Sequence, residues 1–364
     1  MMDKIDQVRS LNYSTQALEQ LEVCLPLLGQ NLPGIRTAHT FVTKQLRDSV
    51  KFLLPNCAEL IDMSELRQAH VDMARLPYPV VALEAPWVWP DGAGGDKHGG
   101  IRSSKRIALC LTMSPEVANW LPDTRGFLQE EHGGVIVIPL YWEDRTGLWK
   151  LPMGGAFVPH DNEVSDYSPG EAGLTNQLLI EPYIAAGLPL SKLRQFRVSP
   201  FLLLPEIAAE ALEHSCGAEV AARVLSDTRD EVSMLLQTGV VLNCANVTTA
   251  EIAAPKLINR KRQGKGKPPF FSYRVLQISA PRAIGTSSGG GQHASPRAHL
   301  RRGHVRRLEE RTVWVRPAMV NAGAAAAVGQ VENRVLHHTH GFRWLGVCCG
   351  GEHFAWEAAR IVAA

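Results

Sequence analysis

The apolar positions at the start of the chain fall at helical spacing. Leu18, Leu21 and Leu25 follow a Ser14-Thr15 start, which predicts a helix from Ser14 to about Cys24. A second amphipathic pattern runs from Ala38 to Leu54 and stops at Pro55, and a third short helix is expected from about Ser64 to Met73. The period then changes. Arg75-Leu76-Pro77-Tyr78-Pro79 reads as a rigid turn, followed by Val80-Val81-Ala82-Leu83-Glu84, an apolar run of strand length. Glu84, at the end of that run, is expected as a solvated strand-end carboxylate, with a cleft-facing role as the alternative.

From Trp87 to Ser104 the Gly-rich segment predicts a long loop, and it carries no nucleotide-binding glycine pattern. Strands resume at Ile107–Thr112, Gly134–Trp142 and Gly147–Pro152, the last two spaced as a hairpin. A mainly antiparallel sheet is the simplest way to pair them. The middle third returns to helical spacing at Ser168–Leu188, Leu202–His214, Ala218–Val224 and Asp227–Leu242. Phe270–Ile278 is strand-like again, Gly285–Gly291 is a flexible linker, and residues 295–317 read as a hairpin closed through Glu309-Glu310. The fold class this predicts is α+β: a helical and antiparallel-sheet body over residues 1–255, a basic β-rich unit over 256–321, and an atypical tail over 322–364.

Charge sharpens that division. From Lys256 to Arg316 there are fifteen Lys and Arg against Glu309 and Glu310, a local +13, while the whole chain carries +2 and the remainder therefore −11. A concentrated positive field attracts polyanions. Seven scattered cysteines without a Cys-x-x-Cys pair argue against a disulfide framework or a four-thiolate zinc site. No apolar run approaches the length of about 18 residues that marks a membrane span, and no signal-peptide pattern opens the sequence, so a cytoplasmic protein without membrane contact is expected.

The candidate chemistry lies in the basic region. Lys261, Arg262, Lys265 and Lys267, in a stretch with no apolar face, are expected to form an exposed arm extended by its own repulsion. Arg301, Arg302, Arg306, Arg307 and Trp314 supply the parts of a nucleic-acid surface, with guanidinium forks for phosphates and an aromatic plane for stacking. His299 and His304 bracket Arg301-Arg302-Gly303. Either could act as general acid or base on a ribose hydroxyl or phosphodiester while an arginine steadies the anion. The leading expectation is nucleic-acid binding. The alternatives are a ribonuclease-like enzyme using His304 and an inhibitor docking on an acidic host protein. Glu130-Glu131-His132 and His160-Asp161-Asn162-Glu163 hold metal-ligand chemistry, but loop spacing guarantees no convergence, so neither metal nor cofactor is expected.

Three groups of residues carry a resemblance. Arg75-Leu76-Pro77-Tyr78-Pro79 with Glu84, then Val241-Leu242-Asn243-Cys244-Ala245-Asn246, then His299-Leu300-Arg301-Arg302-Gly303-His304 with Trp314-Val315-Arg316-Pro317 resemble landmarks of a family of phage and prophage proteins with no established activity. The resemblance spans roughly residues 75–321. It implies a bacterial cytosolic setting and a phage accessory role, and it brings no catalytic residue. Beyond Asn321 the sequence departs from that pattern. The mixture of His337, His338, His340, Cys348, Cys349 and His353 with few Lys and Glu is expected to be translation in a shifted frame. The rival reading of a Cys/His metal site lacks the usual ligand spacing.

Overall fold

The computed structural model describes residues 10–61, 66–88, 102–167, 194–244 and 247–278, together with the backbone of residues 299–301, 304–307, 312–315 and 318–320. Helix α1 (Tyr13–Cys24) lies against α2 (Pro33–Asp48). Strand β1 (Val50–Leu53) follows at once, so the single pattern expected from Ala38 to Leu54 is a helix running into a strand. After the short α3 (Gln68–Asp72) come β2 (Val80–Pro86), β3 (Ser103–Thr112), α4 (Pro115–Trp120), β4 (Gly134–Glu143), β5 (Leu148–Lys150) and β6 (Gly154–Pro159). A two-residue ladder, β7 (Ser165–Asp166) with β8 (Arg194–Gln195), precedes β9 (Ser199–Leu202). Then α5 (Pro205–His214) leads into α6 (Gly217–Leu242), one 26-residue helix where two were expected. Strand β10 (Val247–Ile252), helix α7 (Lys256–Gln263) and β11 (Tyr273–Ile278) complete the body.

Nine strands among the described residues form one sheet in the order β10-β11-β1-β2-β3-β4-β6-β9, with β5 paired to β4. The sheet is mainly antiparallel, as expected, with one strand inserted in parallel. Strand β1 runs parallel to both β11 and β2, and the remaining pairs are antiparallel. A parallel pair needs a crossover, which the segment through α3 provides between β1 and β2. Strands β10 and β11 pair with each other along six residues, so a boundary at residue 255 falls inside this sheet.

Strict alternation along the central strands divides the core into two layers. Val81, Leu83, Ala108, Cys110, Val135 and Val137 pack against Leu225, Val232, Leu235 and Leu236 of α6. Ala82, Ile107, Leu109, Leu111, Ile136 and Ile138 pack against Leu18 and Leu21 of α1 and Phe41, Val42 and Leu46 of α2. Helix α6 passes so close to the end of α3 that a Cβ on Gly239 would lie 2.6 Å from the Met73 carbonyl oxygen. The protein is thus α+β with helices on both faces of the sheet. Among the described residues no helix is long and apolar enough to cross a membrane.

The expected helix at Ser168–Leu188, the loop over residues 89–101, the Gly285–Gly291 linker and the tail over 322–364 lie outside the described residues.

Candidate nucleic-acid interface

Lys256-Leu257-Ile258-Asn259-Arg260-Lys261-Arg262-Gln263 forms α7 instead of an extended arm. Lys, Leu, Arg and Gln are good helix formers, and Arg260, Lys261 and Arg262 in the last turn complement the negative end of the helix dipole. Gly264-Lys265-Gly266 then turns the chain. Gly266 takes φ 64°, a left-handed conformation that glycine adopts without strain, and the Lys267 N–H donates to the Arg262 carbonyl at 3.0 Å.

One face of α7 is tied to the body. Asn259 brackets the backbone of Phe270, donating to its carbonyl at 2.7 Å and accepting from its N–H at 2.8 Å. Arg262 is only 16% exposed: its Nε donates to the Pro268 carbonyl at 2.7 Å, its guanidinium lies 4.2 Å from the Phe270 ring centre, and it pairs with Glu19 of α1. Thr15 adds a hydrogen bond to the Pro269 carbonyl at 2.9 Å. Arg262 therefore acts as an anchor. The neighbours that share its charge do not: Lys256, Arg260, Lys261, Lys265 and Lys267 are exposed, and among the described residues none of them enters an ion pair. Long side chains with no carboxylate partner are free to follow phosphates.

The C-terminal residues fall on two small antiparallel ladders. β12 (His299–Arg301) pairs with β15 (Ala318–Val320), placing His299 opposite Val320 and Arg301 opposite Ala318. β13 (His304–Arg307) pairs with β14 (Thr312–Val315), as the hairpin reading expects, with His304 opposite Val315, Val305 opposite Trp314, Arg306 opposite Val313 and Arg307 opposite Thr312. His299 and His304 thus sit on different ladders. Arg302 lies outside the described residues.

Two buried polar networks escape sequence reading. Glu84 is fully buried, neither solvated nor facing a cleft. Its carboxylate accepts from the Tyr13 and Ser14 N–H groups at 2.9 Å each, which caps α1 from outside the helix, and from the Tyr273 hydroxyl at 2.9 Å. Burial raises its pKa, opposed by hydrogen bonds from Ser14, Tyr273 and Tyr13. Nearby, burial pulls the Lys51 ammonium down to about 8 although Glu84 and Asp48 favour its charge; it donates to the Arg47 and Ser49 carbonyls and sits 3.7 Å from the Phe271 ring centre.

On the opposite face of the sheet Arg106 of β3 reaches two carboxylates of α6, Glu231 at 2.9 Å and Asp230 at 3.1 Å, beneath Trp87. Glu231 is fully buried, and its second carboxylate oxygen has no hydrogen-bond partner. Burial pushes its carboxyl up to about 7 against the pull of Arg106.

The acidic His-containing loops do approach one another. His132 stands 4.0 Å from Asp161, and Arg197 forks onto Glu130 at 2.5 and 2.6 Å. Asp161 and Arg197, with Gln68, Asp72, His160 and Glu163, border a polar cleft of about 780 Å³. Among the described residues no three His, Cys, Asp or Glu side chains are grouped to hold a metal ion. Burial and Arg75 lower the pKa of His160.

The class these features define is an α+β protein whose acidic body carries an anchored, outward-facing basic helix. No protein-family model, curated protein or solved structure matches the chain.

Proposed function

We propose that the protein binds nucleic acid through the basic surface that begins at α7 and continues in the Arg-rich ladders, in the phage or prophage accessory role that the resemblance implies. The observation that carries this reading is the exposure of Lys256, Arg260, Lys261, Lys265 and Lys267 without a single carboxylate partner among the described residues, on a helix held in place by Asn259 and Arg262. Surface cations in folded proteins commonly interleave with acids, and here the interleaving stops at residue 255. A helix presenting five cations on and just beyond two turns matches closely spaced phosphates, and Arg301, Arg306 and Arg307 with Trp314 extend the same chemistry.

Binding of labelled short DNA and RNA, followed by fluorescence anisotropy, tests this. The variant with Arg260, Lys261, Lys265 and Lys267 all changed to Ala is expected to bind at least tenfold more weakly at low salt while melting at the same temperature. Equal affinity for wild type and variant would overturn the role of α7. Cleavage of the RNA, lost in His304→Ala, would move the reading to the ribonuclease-like enzyme.

A further inference from the structure

Phosphate binding leaves one property of α7 unused: Leu257 is 77% exposed and Ile258 50% exposed, between Lys256, Arg260 and Lys261. An apolar centre rimmed by charge is the anatomy of a protein contact. The anionic counterpart must supply exposed apolar surface beside unpaired carboxylates. Val23 and Leu27 at the end of α1 are open, but the acids near them are committed, Glu19 to Arg262 and Glu22 to Arg47. Helix α5 meets both conditions. Leu212 is 45% exposed, Glu213 beside it is exposed, and neither Glu213 nor Glu210 enters an ion pair among the described residues.

The two patches have no route to each other within one chain. Helix α5 follows β9 at one edge of the sheet and is pinned to the start of α2, where Glu206 accepts from the Gly34 and Ile35 N–H groups. Helix α7 joins β10 to β11 at the other edge and is pinned by Asn259 and Arg262. Each is fixed in place with its leucine open. We infer that α7 of one copy docks on α5 of a second copy, Leu257 and Ile258 against Leu212, with Lys261 and Arg260 facing Glu213 and Glu210. Because the two surfaces differ, the contact is head-to-tail and repeats from copy to copy. Two short helices bury little area, so the association is weak and salt-dependent.

Sedimentation velocity of nuclease-treated full-length protein over a concentration series, at low and high salt, tests this. Wild type is expected to sediment faster as concentration rises at low salt and as a monomer at high salt. Leu257→Ser and Leu212→Ser should each leave a monomer. Lys261→Glu and Glu213→Lys should each weaken association at least fivefold, and the two together should restore it. A wild type that stays monomeric at low salt, an unchanged Leu212→Ser protein, or a double variant no better than the single ones would each overturn the inference. Helix α5 takes no part in the nucleic-acid reading, so Leu212→Ser is expected to bind nucleic acid as wild type does; failure of either idea is then visible without the other.

Discussion

Glu84 joins three parts of the chain that are remote in sequence: the first turn of α1, the end of β2 and the start of β11. A buried carboxylate is tolerable here because three donors surround it and Lys51 lies near. Removing it would leave two helix N–H groups and a phenol unsatisfied beside a buried ammonium. Glu84→Ala is therefore expected to lower unfolding stability by about 3 kcal/mol, read by urea denaturation; a loss within ~0.5 kcal/mol would show the network to be dispensable. Glu231 gives a different test. Its folded pKa is about 7, against an ordinary 4.5, so between those values the folded protein holds a proton that the unfolded chain releases. Its contribution is present below pH about 4.5 and is lost as pH rises towards 7. Denaturation at several pH values should show wild type losing stability relative to Glu231→Gln across that window, and a gain instead would mean that Arg106 dominates burial. Neither residue's role was legible beforehand. Glu84 reads as a strand end because β2 continues two residues further than its aliphatic run, and nothing in the helical spacing of Asp227–Leu242 singles out Glu231. Burial of a carboxylate depends on partners that sequence spacing does not reveal.

Among the elements, those whose period stayed constant were legible: α1, β2, β3, β4 and the β4–β5 hairpin stand close to where alternation or helical spacing puts them. Errors arose where the period changed without a break residue. Val50–Leu53 continues the apolar rhythm of α2, so the strand was hidden in a helical pattern, and with it went the parallel pairing that places β1 between β11 and β2. In α7 the density of charge suggested an extended arm, but the Asn259 and Arg262 anchors hold a helix. Those anchors predict that Asn259→Ala, which changes no charge, will lower amide hydrogen-exchange protection in α7 and weaken nucleic-acid binding two- to fivefold. Unchanged protection would mean that the helix persists without its clamp.

For the whole molecule the decisive feature is the segregation of charge: a body of −11 and a stretch from Lys256 to Arg316 of +13. That asymmetry is fully present in the sequence. Its placement is not. The first part of the basic stretch, through β11, belongs to the same sheet as the acidic body, so the cations of α7 are mounted at one edge of that sheet rather than carried on a separate arm. A mounted surface loses less chain entropy on binding than a flexible one. The central claim is that this surface meets phosphates, and the most direct measurement is a salt titration of binding to short DNA and RNA. Wild type is compared with the variant in which Arg260, Lys261, Lys265 and Lys267 are Ala. The account predicts that log K falls linearly with log salt and that the slope flattens by roughly one unit for each cation removed. Binding with no salt dependence, or the same slope for both proteins, would contradict it.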